Sequence, residues 1–454
     1  MAHPDLLAAR SNAQNLFQAG IAAADPYLAV KHYLSVSGQG LAILLEDGIQ
    51  TRTGIWSRIH LIAFGKAACA MAKAAREVLP AHLLASKALV VTNYDNVSPI
   101  DNIDVLGAGH PLPDSNGLLA AQRIAEQARL AQANELVLVL VSGGGSALIP
   151  YPVAGISLQD KIDTTGLLLA SGATINEINC VRKHLSQLKG GGLARLIAPA
   201  DCHALILSDV LGDDLSAIAS GPTVPDSTTY ADAVALLTDK KLWQRLPITV
   251  QKHLQQGAEG RLDETPKPAA PLFSNTGHTL IGSNGISLKA VHQAALTLGY
   301  ECRIYSQQLT GIASEQARQL AKTAKDMLTD GLTRPTAVLA GGETTVMLTG
   351  NGKGGRNQEM ALAFAIAAKE IGLSSPWFFL SGGTDGRDGP TDAAGGLVDN
   401  GTLQRIAASG IDPQAALDNN DSYTALKHSQ DLLMTGATGT NVADLQILLL
   451  HPHS

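Results

Sequence analysis

Glycine-rich polar turns are the feature of this chain whose residue types could do chemistry. Four of them follow short apolar runs, at residues 141–146, 340–345, 350–356 and 381–386. Glycine lets the backbone bend sharply and approach a ligand closely, so that exposed N–H groups can converge on an anion. A single turn of this kind is typical of any strand–helix corner. Four that also carry Arg, Lys, Asp and Glu favour a protein that handles phosphate or carboxylate groups.

Two basic residues stand next to such turns. Lys66 follows an apolar run and opens an Ala-rich helix, where a cation is unfavourable unless an anion shares the place. Arg356 follows the glycines of residues 350–355, and its planar guanidinium could hold a carboxylate or a γ-phosphate at two points. A solvated Lys66 and a surface ion pair between Arg356 and Glu359 are the ordinary alternatives.

A second basic group consists of Arg182, Lys183 and Lys189, which lie on and after a predicted helix that ends in three glycines. These side chains are candidates for anion binding. The alternative is the usual basic last turn before a glycine C-cap.

Closely spaced carboxylates indicate a metal or base site. Asp385, Asp388 and Asp392 lie within ten residues, but the Glu that ends an EF-hand loop is missing, so a Mg²⁺–phosphate site with one or two carboxylates is the better interpretation. Asp209, at the end of a predicted strand, is a further candidate for a metal ligand or a base. Turn formation and helix capping remain the alternatives for each of them.

Two nucleotide fingerprints can be tested directly. A Walker A sequence is absent, because Lys66 is followed by Ala67. Residues 350–355 satisfy GxGxxG, which leaves a dinucleotide-binding dehydrogenase open, although no acidic residue closes a strand about 20 residues later.

The elements that must position these residues alternate between strand and helix. We predict helices over most of the first sixty residues, and then strands at 60–64, 88–92, 103–106, 136–141 and 204–207. The helices between them are predicted at 67–78, at 116–130 and from Thr174, where Glu177 completes a capping box. This alternation predicts an α/β fold with a parallel sheet, whose ligand crevice lies outside the carboxyl ends of the strands.

The second half repeats the rhythm after a proline-rich stretch. Helices are predicted at 283–298, 314–328 and 358–370, and strands at 302–305, 337–340, 345–348, 377–380, 431–434 and 445–450. The expected organisation is therefore an N-terminal α/β domain over residues 1–245, a linker over 246–275 and a C-terminal α/β domain with a mixed sheet over 276–454.

Composition excludes several classes of protein. The 454 residues carry a net charge of −7 without a Lys/Arg run, which argues against nucleic-acid binding. No stretch approaches the ~18 apolar residues of a membrane span, and no signal peptide is recognised. Four widely spaced cysteines favour a reducing compartment, so we expect a cytoplasmic protein. A homodimer is left open.

Several longer strings resemble one family. Residues 141–148, 181–186, 208–210 and 220–223 resemble the N-terminal half of class II glycerate 2-kinases, and residues 341–346, 354–359, 381–386 and 436–445 are similar to the C-terminal MOFRL domain of that family. The resemblance covers about residues 5–450. It implies a Rossmann-like N-terminal domain, an active site in the cleft between the domains, and ATP-dependent phosphorylation of D-glycerate at its 2-hydroxyl with Mg²⁺.

The resemblance also implies roles for particular residues. Lys66 and Arg356 take the positions of the key basic residues, and we expect them to neutralise the phosphoryl group and the glycerate carboxylate. Asp385 or Asp209 would hold Mg²⁺ or orient the 2-hydroxyl. The remaining expected substrate- and nucleotide-binding residues are Ser142, Gly143, Gly144, Gly145, Ser146, Arg182, Lys183, Lys189, Glu343 and Thr384. Some members of the family have carried the label hydroxypyruvate reductase, so an NAD(P)H-dependent hydroxypyruvate reductase is one alternative to a kinase. A non-catalytic sugar-acid sensor on the same scaffold is the other.

Overall fold

A computed structural model of the chain describes residues 4–37, 40–45 and 48–452. Its helices are α1 (Pro4–Ala23), α2 (Pro26–Tyr33), α3 (Ala68–Val78), α4 (Ser115–Leu130), α5 (Gly145–Leu148), α6 (Leu158–Ala170), α7 (Ile175–His184), α8 (Gly192–Ile197), α9 (Tyr230–Asp239), α10 (Ile248–Ala258), α11 (Asn284–Thr297), α12 (Ala313–Thr329), α13 (Arg356–Glu370), α14 (Thr402–Ala408), α15 (Pro413–Asp418) and α16 (Ser422–His428).

The strands are β1 (Leu34–Ser37), β2 (Gly40–Leu44), β3 (Thr51–Gly54), β4 (Ile59–Phe64), β5 (Ala88–Asn93), β6 (Ile103–Ala108), β7 (Leu136–Val141), β8 (Asp201–Leu207), β9 (Thr276–Gly282), β10 (Glu301–Leu309), β11 (Thr336–Gly342), β12 (Trp377–Gly383), β13 (Gly395–Asp399), β14 (Leu432–Leu433) and β15 (Asp444–Leu450).

The chain divides into two compact units. The parallel-sheet unit comprises Pro26–Ile281, and the mixed-sheet unit comprises the residues up to Asp25 together with those from Gly282 on. This division differs from the expected boundaries in two ways. The first 25 residues belong with the C-terminal half, and the expected linker over 246–275 contains α10, whose Val250 and Leu254 are buried in the parallel-sheet unit.

The parallel-sheet unit is built on a six-stranded sheet with the order β6-β5-β4-β7-β8-β9. The pairings β5–β6, β4–β5, β4–β7 and β7–β8 are parallel, which confirms the expected Rossmann-like α/β class. All six residues of β4 and of β7 are buried, as expected for central strands covered on both faces. The capping box at Thr174 is also confirmed.

The mixed-sheet unit has the strand order β10-β11-β15-β12-β13-β14. Only β10 and β11 pair in parallel among these described strands, and β15 runs antiparallel to both β11 and β12. The expected mixed sheet is therefore confirmed. The register places Asp444, the first residue of β15, opposite Gly342 and Gly383, the last residues of β11 and β12.

Both faces of this mixed sheet are covered, and this explains where the N-terminus belongs. Alternate residues of a strand point to opposite faces. Val338, Phe379 and Leu448 therefore join the core formed with α12 and α13, whereas their neighbours Leu339, Leu380 and Ile447 join the core formed with α11 and α1. The fully buried Leu16 and Phe17 of α1 belong to the second core.

Some predicted elements were wrong. The expectation of helices over most of the first sixty residues holds for α1 and α2, but the segments Leu34–Ser37, Gly40–Leu44 and Thr51–Gly54 form the antiparallel sheet β1-β2-β3. The strand predicted at 345–348 is absent, since only an isolated bridge at Thr345 forms there. The strand β13 was not predicted.

No helix in the described part of the chain combines the length and the apolar character that a membrane crossing requires.

Candidate functional site

In the parallel-sheet unit, the turns that follow β4 and β7 are joined by hydrogen bonds at the carboxyl edge of the sheet. The N–H of Lys66 donates to the carbonyl of Gly143 (2.9 Å), and the N–H of Ser142 donates to the carbonyl of Phe64 (3.0 Å). The Ser142 hydroxyl accepts from the N–H of Ala67 at 3.0 Å. Ser142 is 1% exposed and does not face solvent. Its hydrogen bonds instead fix the backbone around Lys66 at the end of β4.

The two central glycines of the second turn are approached closely by charged and titratable side chains. A methyl group on Gly143 would overlap the carboxylate of Asp209. Gly144 has φ +85°, and the position of its missing side chain lies 3.1 Å from Nε2 of His110 and 3.3 Å from Cγ of Lys66. The structure therefore brings Lys66, Asp209 and His110 together around Gly143 and Gly144.

The backbone of this turn still offers donors. Among the described residues, the N–H groups of Gly143 and Gly144 have no acceptor. Unpaired N–H groups at a left-handed turn form an anion-binding concavity. Gly145 packs against Phe64 and Ala219 and begins α5, so its role is to pack the turn against the core of the unit.

Burial and Lys66 set the protonation of the two titratable groups beside the turn. Burial raises the pKa of Asp209, which the positive charge of Lys66 opposes. Burial and the same lysine both lower the pKa of His110, so its imidazole is held in the neutral form. The lysine itself makes no ion pair among the described residues and lies partly buried.

Ser146, at the far end of the same turn, connects to a buried lysine. Nζ of Lys189 donates to the carbonyl of Ser146 (2.9 Å) and to its hydroxyl (2.6 Å). The Ser146 hydroxyl also lies 3.0 Å from that of Ser220, which donates to Oδ1 of Asn179 at 2.8 Å. Lys189 is 1% exposed, and burial, with two nearby cations, places its pKa well below the usual value.

The two expected basic residues on α7 have different surroundings. Lys183 is buried and forms an ion pair with the fully buried Asp226 at 3.3 Å, and Asp226 also accepts hydrogen bonds from Thr228 and Thr265. Lys183 is thus engaged within the fold. Arg182 is partly buried and has no carboxylate partner among the described residues.

In the mixed-sheet unit, Arg356 is the first residue of α13 and is held by two carboxylates. Its Nε and one terminal nitrogen donate to the two oxygens of Asp444 at 2.6 and 2.9 Å, and the other terminal nitrogen lies 2.9 Å from Oε1 of Glu343. Burial opposes the charged form of Arg356, but Asp444 and Glu343 outweigh it and raise its pKa. Asp444 is fully buried and burial raises its pKa.

Asp385 lies beside this group. Its Oδ1 and an oxygen of Asp444 stand 3.2 and 3.5 Å from the position that a Gly383 side chain would take. It is partly exposed and accepts a hydrogen bond from the N–H of Arg387 at 3.0 Å. Thr384 is fully buried and binds the carbonyl of Ala443 through its hydroxyl (2.7 Å), so it positions the loop before β15.

The three aspartates of residues 383–392 do not form one cluster. The carboxylate of Asp388 accepts from the N–H groups of Asn357 (3.1 Å) and Gln358 (2.7 Å) at the start of α13, and burial raises its pKa to about 7. Asp392 instead accepts from the hydroxyl of Tyr423 at 2.8 Å. No group of three metal-ligating side chains occurs among the residues that the structure describes.

The GxGxxG segment does not have the surroundings of a dinucleotide site. No strand runs directly into it, since β11 ends at Gly342. Its glycines pack against their own chain: side chains at 350 and 352 would overlap Asn419 or Asp421, and side chains at 354 and 355 would overlap Ser422 and Asp388. Lys353 stacks over the ring of Tyr423 at 4.4 Å. Close packing therefore accounts for these glycines.

Two residues of these groups were not assigned from sequence. His110 lies in a proline-flanked turn that carried no signal on its own. Asp444 is 88 positions from Arg356 in the sequence. The feature that could have identified it is the segment 436–445, which resembles the MOFRL domain and contains it.

Known proteins resemble this chain over most of its length. Residues 12–255 match the family described as domain of unknown function DUF4147, and residues 336–444 match the MOFRL family. The "D-glycerate 2-kinase" of Thermotoga maritima is 45% identical over 87% of this chain and 91% of its own length. A protein of Agrobacterium vitis named "Putative hydroxypyruvate reductase" is 41% identical over 98% of this chain and 95% of its own.

A solved structure agrees with the fold. The crystal structure of a glycerate kinase from Thermotoga maritima superposes with a TM-score of 0.86 at 41% identity, covering 98% of this chain and 99% of that one.

Proposed function

The chain belongs to the family that joins a DUF4147 domain to a MOFRL domain, and we infer from this that it is a glycerate 2-kinase. It transfers a phosphoryl group from a nucleotide to the 2-hydroxyl of D-glycerate and forms 2-phosphoglycerate. The name of the Thermotoga maritima relative supports both the substrate and the position of attack. Four free cysteines fit a reducing compartment, so we propose the cytoplasm as the place of reaction.

The observation that carries the proposal is the convergence of Lys66 and Asp209 on Gly143 and Gly144 at the carboxyl edge of the parallel sheet. Phosphoryl transfer asks for charge neutralisation and positioning rather than covalent work by the protein. An unpaired lysine supplies the charge, and two free N–H groups supply donors for phosphate or carboxylate oxygens.

We propose the following roles for the reaction. The oxygen of the 2-hydroxyl attacks the γ-phosphorus, the bond from phosphorus to the nucleotide's bridging oxygen breaks, and the hydroxyl proton leaves to a protein base. Asp209 or Asp385 accepts the hydrogen bond of the hydroxyl. Lys66 offsets negative charge on the phosphoryl group or on the glycerate carboxylate, and the basic role that the family resemblance implies for Arg356 stays a prediction.

ATP and Mg²⁺ fit this donor set as the proposed nucleotide and metal. Mg²⁺ commonly uses one or two protein carboxylates together with phosphate oxygens and waters, and it neutralises charge that develops on the phosphates. Asp209 has no ion-pair partner among the described residues, and Asp385 accepts only a local backbone hydrogen bond. Either carboxylate is therefore free to take that part.

The reductase alternative is supported by the name of the Agrobacterium vitis relative but not by the geometry of this chain. The GxGxxG segment of residues 350–355 does not directly follow a strand, and the space beside its glycines is occupied by other residues of the chain. A dinucleotide site needs glycines that face the pyrophosphate.

A paired assay decides between the three functions. The protein is incubated with D-glycerate, ATP and Mg²⁺ while ADP is measured, and separately with hydroxypyruvate and NADH while NADH absorbance is followed. We expect glycerate-dependent ADP release and no NADH loss. NADH consumption without ATP would replace the kinase by the reductase, and glycerate binding without ADP release would replace it by the sensor.

Lys66→Met tests the proposed site within the same assay. We expect kcat to fall on the order of 10²–10³-fold, as for loss of one transition-state contact, with an unchanged Tm because Lys66 has no ion pair to lose. Lys252→Met, an exposed lysine of α10 in the same unit, is the matched control and should retain activity. Normal turnover of Lys66→Met would remove Lys66 from the mechanism.

A further inference from the structure

A second group of cations in the parallel-sheet unit has no counter-charge. We call Lys161 on α6, Arg182 on α7 and Lys189 after α7 the cationic cluster. Nζ of Lys189 lies 3.5 Å from the hydroxyl of Ser220, which donates to Asn179 on α7, the helix that carries Arg182. Burial and the charge of Arg182 lower the pKa of both lysines, and the charge of Lys161 also lowers the pKa of Lys189. None of them forms an ion pair with a carboxylate in the described part of the chain.

Two donors of this region are buried without any acceptor. Lys161 is 7% exposed, and its Nζ has no hydrogen-bond partner. Asn179 is 2% exposed, and its Nδ2 is likewise unpartnered, although its Oδ1 accepts from Ser220. A buried donor without an acceptor is costly, and a buried unpaired charge is more so.

A neighbouring lysine, Lys183, shows how a buried cation with a purely structural role is paired in this fold. Lys183 is one residue from Arg182 and is buried, as Lys161 is, but it is paired with Asp226 at 3.3 Å. The carboxyl end of α7 favours Arg182 and Lys183. Lys161, however, lies four residues into α6 (Leu158–Ala170), near the helix end that disfavours cations. Burial and Arg182 lower the pKa of Lys161 to about 7.

The cluster is connected to the turn that carries the proposed reaction. Lys189 holds both oxygens of Ser146, and Ser146 is two residues from Gly144, where Lys66 and His110 meet. Hydrogen bonds from Lys189 to Ser146 therefore join the cluster directly to this turn.

We propose that the cationic cluster, with Nδ2 of Asn179, binds the phosphate chain of the nucleotide. This assignment rests on the kinase function proposed above. It deepens that function by naming the residues that recognise the phosphates which are not transferred.

Charge decides between a phosphate chain and the glycerate carboxylate. A single carboxylate is satisfied by one guanidinium in two-point contact. Two buried lysines and an arginine, with further buried donors, match several negative oxygens, as in a diphosphate. A bound polyanion would supply the missing acceptor for Lys161 and favour the charged forms of both lysines, which burial and neighbouring positive charge disfavour.

Calorimetry with separate probes tests the assignment. Binding of ADP, inorganic pyrophosphate and D-glycerate is measured for the full-length wild type, Lys161→Met and the control Lys252→Met. We expect Lys161→Met to weaken ADP and pyrophosphate at least 10-fold and to leave D-glycerate unchanged. The control should match wild type for all three. Unchanged ADP affinity, or loss of D-glycerate affinity instead, would overturn the proposal.

The Tm of the ligand-free Lys161→Met protein distinguishes a binding role of Lys161 from a structural one. Removing an unpaired buried charge should leave the Tm of the ligand-free Lys161→Met protein unchanged or higher, while the rise in Tm on adding ADP shrinks. A lower ligand-free Tm would assign Lys161 to structure and contradict the proposal. Arg182→Met, at a partly exposed position, provides a second variant with the same expected loss of ADP binding.

The outcomes separate this proposal from the kinase assignment. Pyrophosphate binding that depends on Lys161, in a protein without kinase activity, would keep the phosphate site and remove the kinase. Kinase activity together with wild-type ADP affinity in Lys161→Met would keep the kinase function and remove the phosphate site.

Discussion

Substitution of Arg356 by Ala should damage stability as well as activity. Arg356 is the partner of Asp444, whose carboxylate is fully buried and accepts both hydrogen bonds of a two-point pair. Without Arg356, a buried carboxylate is left unpaired.

The size of the effect follows from that geometry. Removing one partner of a buried ion pair costs about 3–5 kcal/mol. Arg356 belongs to the mixed-sheet unit of roughly 200 residues, for which each kcal/mol shifts Tm by about 2–4 °C. The transition of that unit in differential scanning calorimetry should therefore fall by roughly 6–20 °C. The second variant, Arg356→Met with Asp444→Asn, removes both charges and should recover most of this loss while remaining inactive.

The loss should also depend on pH. Burial already raises the pKa of Asp444, and loss of Arg356 raises it further. Between the ordinary carboxyl pKa and this raised value the folded protein binds more protons than the unfolded chain, so stability falls as pH rises through that window. The deficit of Arg356→Ala should be smaller at about pH 5 than at about pH 8. A variant with wild-type Tm, or one whose deficit grows towards low pH, would refute this reasoning.

Three further outcomes follow from single contacts. Gly143→Ala should lower kcat strongly, because its methyl group displaces Asp209. Gly166→Ala in α6, where no atom lies within 4 Å of the added methyl group, should keep activity and raise the free energy of unfolding by about 0.5–1 kcal/mol. Equal activities of the two variants would contradict the contact between Gly143 and Asp209. Phe17→Ala should destabilise the mixed-sheet unit by about 3–5 kcal/mol in calorimetry, and a loss confined to the other unit would contradict the placement of α1. Lys183→Met should destabilise the parallel-sheet unit by about 3–5 kcal/mol, because its buried carboxylate partner is left unpaired; an unchanged Tm would show that the pair is dispensable.

Local patterns predicted the elements that carry the parallel-sheet site. The run at residues 136–141 is buried throughout as β7, and the capping box at Thr174 begins α7 as expected. These features depend on neighbours within a few residues. The turn at 142–146 could therefore be placed after a strand at the ligand-binding edge of the sheet.

Features that depend on distant partners could not be predicted in this way. The strands β1 to β3 stabilise one another by pairing, which short runs around Val36 and Ile43 do not reveal. The place of α1 depends on a sheet nearly 300 residues away. Asp444 becomes the partner of Arg356 only through its register opposite Gly342 and Gly383.

The glycine-rich turns show the same limit for function. All four suggested anion binding equally, but the glycines of residues 350–355 serve packing, whereas Gly143 and Gly144 retain free N–H groups beside Lys66. Only the neighbours of each turn in space separate these two uses.

The position of the new phosphate ester tests the central claim most directly. D-glycerate is incubated with the protein, ATP and Mg²⁺, and purified enolase without phosphoglycerate mutase is then added, since enolase acts directly only on the 2-phosphate. We predict immediate formation of phosphoenolpyruvate. Stoichiometric ADP with no phosphoenolpyruvate until mutase is added would show attack by the 3-hydroxyl and contradict the assignment.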